Sequence, residues 1–187
     1  KDKGDLFERL TQLYLQTSPT YATKLKNIWW CNNGELPDNV RKKLNLPFED
    51  EGIDLICETY DGKYWSVQSK YRADSERPLT TKELSKFVSL SFVTGDNISA
   101  GIVVHTSTKK VQKSKLMGNT FEIGLQHWLS ITNVQWKQIL KVCETNVLKQ
   151  PQPRLKRDHQ QIAIDKVNEH FGKHKASRGK LVMPCGT

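Results

Sequence analysis

Apolar side chains in DLFERLTQLYL, residues 5–15, fall at Leu6, Phe7, Leu10, Leu13 and Tyr14, the spacing of one helix face. Lys26 to Trp30 reads as a short first strand. GELPDNVRKKLNLP predicts a short helix that starts after Pro37 and ends before Pro47. In LTTKELSKFVSLSF, Thr80 and Glu83 are spaced as a capping box, and Leu84, Phe87, Val88 and Phe92 make one apolar stripe. SAGIVVHTS is a continuous apolar run, as in a strand buried on both faces. EIGLQHWLSI and VQWKQILKVCETNVL read as two further helices. This order of helix, strand, hairpin, helix, strand and helices predicts an α/β domain with a mixed central β-sheet flanked by helices.

The hairpin lies in DEGIDLICETYDGKYWSVQSKYR, residues 50–72. Side chains alternate faces along a strand. The odd positions Ile53, Leu55, Cys57, Trp65 and Val67 are apolar, and the even positions include Asp54, Glu58, Ser66, Gln68, Lys70 and Arg72. The two arms share this sorting only if odd residues pair with odd. A two-residue Asp61-Gly62 turn would pair Tyr60 with Lys63 and scramble the faces. A three-residue loop, Tyr60-Asp61-Gly62, with a left-handed Gly62, pairs Thr59 with Lys63 and sets Asp54 opposite Gln68 with Lys70 beside them. A central strand rarely leaves one face wholly wet, which favours a functional cluster over a solvated hairpin face.

Composition narrows the setting. The 187 residues suffice for one full domain and part of another, and 36% hydrophobic content suits a globular chain. No apolar run approaches a membrane span, and no signal peptide is visible, so a cytoplasmic, intracellular protein without a membrane partner is expected. The chain begins with Lys1, as a segment of a longer protein would. The net charge of +9 favours a polyanionic partner, nucleic acid first. Cys31, Cys57, Cys143 and Cys185 form no CxxC pair, which argues against zinc and fits a reducing compartment. Trp29, Trp30, Trp65, Trp128 and Trp136 read as packing residues, and His105 as a satisfied structural residue within its buried run.

An acid, an amide oxygen and an amine that meet at one point suit metal-assisted hydrolysis. A hard cation such as Mg²⁺ prefers oxygen ligands and also binds substrate phosphate. Lys70 cannot bind the cation but can hold the attacking water or a phosphate oxygen. GIDL followed by QSK resembles the catalytic core of the PD-(D/E)xK nucleases, in particular the Mrr-like restriction endonuclease branch, where the last motif is often QxK. The resemblance covers residues 3–145 and implies a restriction-endonuclease-like fold. It implies Asp54 as the metal-binding acid, Gln68 as second ligand and Lys70 as catalytic lysine, with the Ser69 carbonyl as a further ligand to Mg²⁺ or Mn²⁺. The family's first helix often adds a Glu, and Glu8 in GDLFERL matches that position; a solvated helix Glu is the equal alternative. Gln68 is neutral, so the site has one negative charge fewer than the Asp, Glu, Lys version.

The character changes near Gln150, where KQPQPRLKR reads as a linker or boundary. The expected organisation is a nuclease domain over residues 1–149, then a linker and the start of a second domain over residues 150–187. KRDHQQIAIDKVNEHF and KLVMPCGT together resemble the opening of a superfamily 2 helicase motor. By that resemblance Gln160 contacts adenine. MPCGT resembles the first part of a Walker A loop, without the following Gly-Lys-Ser/Thr, so ATP belongs to the longer enzyme and this segment should not hydrolyse it. The arrangement resembles the nuclease–helicase fusions of ATP-dependent restriction enzymes, which implies a bacterial or phage origin. Lys109, Lys110 and Lys113, with Lys115, follow the buried strand and are expected to contact DNA phosphates; Arg154, Lys156 and Arg157 could do the same or only solvate the linker. The leading expectation is a Mg²⁺-dependent DNA endonuclease domain of a larger helicase-bearing enzyme. The alternative is a catalytically weak or inactive DNA-binding or interaction module.

Overall fold

A computed structural model of the chain describes residues 3–32, 34–48, 52–112, 118–145, 157–175 and 177–180. Two compact units divide the chain, residues 1–151 and 152–187. In the first unit the elements are α1 (Lys3–Thr17), α2 (Pro19–Ala22), β1 (Leu25–Trp30), α3 (Asp38–Lys43), β2 (Leu55–Thr59), β3 (Tyr64–Lys70), α4 (Thr81–Phe92), β4 (Ile98–His105), β5 (Thr120–Ile123), α5 (Leu125–Leu129) and α6 (Asn133–Thr145). The second holds α7 (Asp158–Asn168) and a π-helical turn, Glu169–Lys173. Among the described residues, no helix is long and apolar enough to cross a membrane.

The five strands run in sequence order, β1-β2-β3-β4-β5. The first three are antiparallel neighbours, whereas β3 and β4, and β4 and β5, are parallel. The sheet is therefore mixed, as the order of elements predicts, and β3 is its middle strand. One face packs Leu55, Cys57, Val67, Ile102 and Val104 against Phe7, Leu13 and Leu15 of α1 and Ile139 and Val142 of α6. The other packs Ile56, Tyr64 and Val103 against Leu84 and Phe87 of α4 and Val40 of α3. Cover on both faces explains the unbroken apolar run of β4, where Gly101, Ile102, Val103 and Val104 are all buried. Gly101 lets α4 approach, since a Cβ there would lie 2.9 Å from Phe87 Cζ. Burial pushes the Cys57 thiol far up, so it packs as an inert apolar group. Trp128 is buried, and Trp29, Trp30, Trp65 and Trp136 pack half-buried against the two cores, as read from sequence.

Two expectations need correction. EIGLQHWLSI is not one helix: Thr120–Ile123 forms β5, and the helical part begins at Leu125. A short apolar run fits either period; here the parallel edge of β4 supplies hydrogen-bond partners and Gly124 breaks the run. The even face of the hairpin, expected to be polar, is a second core beneath α4, where Ser66 Oγ sits 2.7 Å from Ser91 Oγ. Only its open end carries Gln68 and Lys70. KLVMPCGT falls almost wholly on residues 181–187, outside the described residues.

Candidate active site

The hairpin register is the one that parity requires. Leu55 pairs with Val67 and Cys57 with Trp65. The Thr59 amide donates to the Lys63 carbonyl at 2.9 Å, and Gly62 at φ +78° closes a three-residue loop. Alternation along β3 then sets Ser66, Gln68 and Lys70 on the α4 face.

The alternation fails at one place, Asp54. Ile53 belongs to the α4-side core and Leu55 to the α1-side core, although both are odd. The chain bends between them, and Asp54 stands at the bend. Its amide donates to the Val67 carbonyl, 2.9 Å, and its Oδ2 accepts from the Ser69 amide, 2.5 Å. The carboxylate thus takes the place of the next backbone acceptor of β2, level with Gln68–Ser69. A strand residue's N–H and C=O point to the same side, so the Ser69 carbonyl is directed to this edge too.

Gln68 is 1% exposed, and its Oε1 has no hydrogen-bond partner among the described residues. Leaving a buried acceptor unpaired costs about 1–3 kcal/mol. The Asp54 carboxylate, the Gln68 amide oxygen and the Ser69 carbonyl form a set of hard oxygen donors, which fits Mg²⁺ or Mn²⁺ rather than zinc. Among the described residues, no group of three or more His, Cys, Asp and Glu side chains could hold a metal ion. Lys70 is half-buried and lies two residues along the same face.

Glu8 belongs to the other layer. It is half-buried on α1, which packs on the face opposite Gln68 and Lys70. The first turns of α1 nonetheless reach the site end of β3, for the Phe7 ring lies 6.3 Å from that of Tyr71.

Around this end the loops are tied together. Arg72 forms an ion pair with Glu83, which also caps α4 by accepting from the Thr80 amide at 2.8 Å. Burial alone would raise the Glu83 carboxyl. The Thr80 amide and hydroxyl and the Arg72 guanidinium outweigh that and hold it at about 2. Thr108 donates its amide to the Ser75 carbonyl, 2.8 Å, and Lys109 Nζ pairs with Glu76 Oε2, 2.6 Å. Of the expected DNA contacts, Lys109 is therefore ion-paired and Lys110 is exposed, while Lys113 lies outside the described residues, as does Lys115. Gln160 Oε1 accepts from the Arg157 amide, 3.0 Å, at the start of α7.

Sequence reading missed a polar pair next to Lys70. His105 of β4 pairs in register with Lys70 and is 1% exposed. Its Nε2 meets Glu122 Oε1 at 2.9 Å. The signal was the alternation of TFEI, which makes Glu122 the inward acid of a strand once β5 is recognised.

The family model described as restriction endonuclease matches residues 16–146, more than half of the chain. A chain from the Thermococcus gammatolerans assembly of McrB AAA+ hexamers with bound McrC aligns with TM-score 0.40 and 14% identity. That alignment covers 78% of this chain but only 34% of the other, and a likeness so distant carries no functional weight. No curated protein matches.

Proposed function

The chain belongs to the restriction endonuclease family, and from that premise we propose that residues 1–149 are a DNA endonuclease domain dependent on Mg²⁺ or Mn²⁺. The observation that carries the proposal is the buried Gln68 Oε1, without a hydrogen-bond partner among the described residues, next in sequence to Ser69, whose amide anchors the Asp54 carboxylate. Asp54, Gln68 and the Ser69 carbonyl would hold the cation; Glu8, in the opposite layer, would join them only around the end of β3, which α1 reaches at Tyr71. Bound there, a divalent ion supplies Lewis-acid chemistry to a phosphodiester and lowers the pKa of water. The Ser69 N–H fixes one carboxylate oxygen of Asp54, so the other is oriented without rotamer search. Lys70 donates to a phosphate oxygen or to the attacking water and stabilises charge as it develops on the phosphate. Lys109, Lys110 and Lys113 contact backbone phosphates and position the duplex without reading its sequence.

In this proposal residues 150–187 are a linker and the first part of a superfamily 2 helicase motor in a longer, intracellular enzyme of bacterial or phage origin. Gln160 would contact adenine there, and ATP would act only on that longer enzyme. Exposed apolar side chains support this reading: Ile164 and Val167 on one side of α7, Ile162 on the other, and Phe171 in the π-helical turn that follows. The neutral Gln68 favours a second reading, a DNA-binding module with little catalysis.

Supercoiled plasmid incubated with the parent enzyme, Mg²⁺ and ATP separates the two. Cleavage by the wild type should fall at least about 100-fold in Asp54→Ala and in Lys70→Ala, with the fold retained by circular dichroism. Equal cleavage by all three proteins would exclude this active site. No cleavage by any of them would favour the binding module.

A further inference from the structure

A cavity of about 450 Å³ opens beside the candidate active site. Its lining includes Ser107, Lys110, Val111, Glu122, Gly124 and Gln126. It lies at the carboxyl ends of the parallel strands β4 and β5. His105, the register partner of Lys70, hydrogen-bonds Glu122 of the lining, so the cavity lies on the β5 side of that pair.

Its floor has a defined hydrogen-bond polarity. The Ser107 amide donates to His105 Nδ1 at 3.1 Å, which leaves the ring proton on Nε2. That proton is donated to Glu122 Oε1, and the Val111 amide donates to the same oxygen at 3.1 Å. Glu122 Oε1 is therefore saturated. Its Oε2 has no partner among the described residues, although the side chain is only 23% exposed. Gly124 packs closely on the His105 ring, for a Cβ there would lie 3.1 Å from His105 Cε1. On the wall, the exposed Lys110 supplies a cation.

The cavity thus offers an acceptor-only anion at its floor and a cation at its side, in a volume suited to a small ligand. A nucleotide presents the complementary pattern. Its phosphate matches Lys110, and the exocyclic amino group of cytosine or adenine matches a carboxylate oxygen. We propose that this cavity takes one unstacked nucleotide of a DNA strand and reads its exocyclic amino group through Glu122. This rests on the nucleic-acid reading above, but not on the metal site. Thymine, with an oxo oxygen where cytosine has an amino group, is rejected by the carboxylate.

The fixed donors make the test directional. In Glu122→Gln only the amide oxygen can accept from His105 and the Val111 amide. The NH₂ is then forced toward the cavity, and the floor changes from acceptor to donor. Fluorescence anisotropy of the full protein in EDTA, with labelled twelve-residue oligo-dC and oligo-dT, reads the outcome. The wild type should prefer oligo-dC by about 10-fold, and Glu122→Gln should prefer oligo-dT, with an unchanged melting temperature. Equal affinities in the wild type, or an unreversed preference in the variant, overturn the proposal. Free dCMP should compete at least about tenfold more weakly than the same nucleotide within a strand, because the flanking phosphates are missing. Competition at parity would mean a free-nucleotide site instead. Asp54→Ala should keep the oligo-dC preference while it loses cleavage, so failure of either assignment leaves the other intact.

Discussion

A neutral amide at position 68 leaves the oxygen cluster with one negative charge fewer than two carboxylates would supply. Coulomb attraction for a divalent ion is correspondingly weaker. Gln68→Glu should therefore bind Mg²⁺ about tenfold more tightly by titration calorimetry. Without metal the same variant should melt lower than the wild type, because Gln68 is buried and an ionised carboxylate there lacks a partner. Saturating Mg²⁺ should restore more stability to the variant than to the wild type. A melting temperature equally insensitive to Mg²⁺ in both proteins would argue against position 68 as a ligand.

The element that holds the site end of β3 in place is the first turn of α4. Thr80 and Glu83 make the capping box expected from their spacing, and Arg72 adds an ion pair from the end of β3. Thr80→Ala should destabilise the fold by about 1 kcal/mol. The pH dependence has a definite sign. The folded carboxyl of Glu83 sits at about 2, below the ordinary value for glutamate. Its contribution to stability is therefore complete above about pH 4.5 and is lost as the pH falls toward 2. Glu83→Gln should lower the melting temperature at pH 7, and the gap to the wild type should close as acid is added. A gap that stays constant to pH 2 would show that the Arg72 and Thr80 contacts do not depend on the charge.

Taken whole, the chain carries 29 Lys and Arg against 20 Asp and Glu. That excess supplies a sequence-independent attraction to DNA with a steep dependence on salt. Lys110→Ala should weaken binding to unrelated duplexes alike and reduce the slope of log affinity against log salt by about 1. Lys109 differs, because Glu76 holds it at 2.6 Å. An exposed pair of that kind is worth little, so a phosphate can displace Glu76. Glu76→Gln should then tighten duplex binding about two- to threefold at low salt, as seen by filter binding.

Much of the site was legible because β-strand period and hairpin loop length are local rules. Parity demanded a three-residue loop with Gly62, and that loop aligned the two arms and put Gln68 and Lys70 on one face. The capping box and the doubly covered β4 were equally local. Where readings failed, the deciding contacts were distant in sequence. Parity could not foresee the bend at Asp54, because the carboxylate's position depends on the Ser69 amide fifteen residues on. The even face became core only because α4 folds back over it. Thr120–Ile123 became a strand because β4 offered a parallel edge, and with it came the His105–Glu122 pair. Alternation and loop chemistry are set by neighbouring residues, so the chain alone dictates them. Which layer covers a face, and which acid meets which amide, is decided only when separate segments compete to bury the same surface.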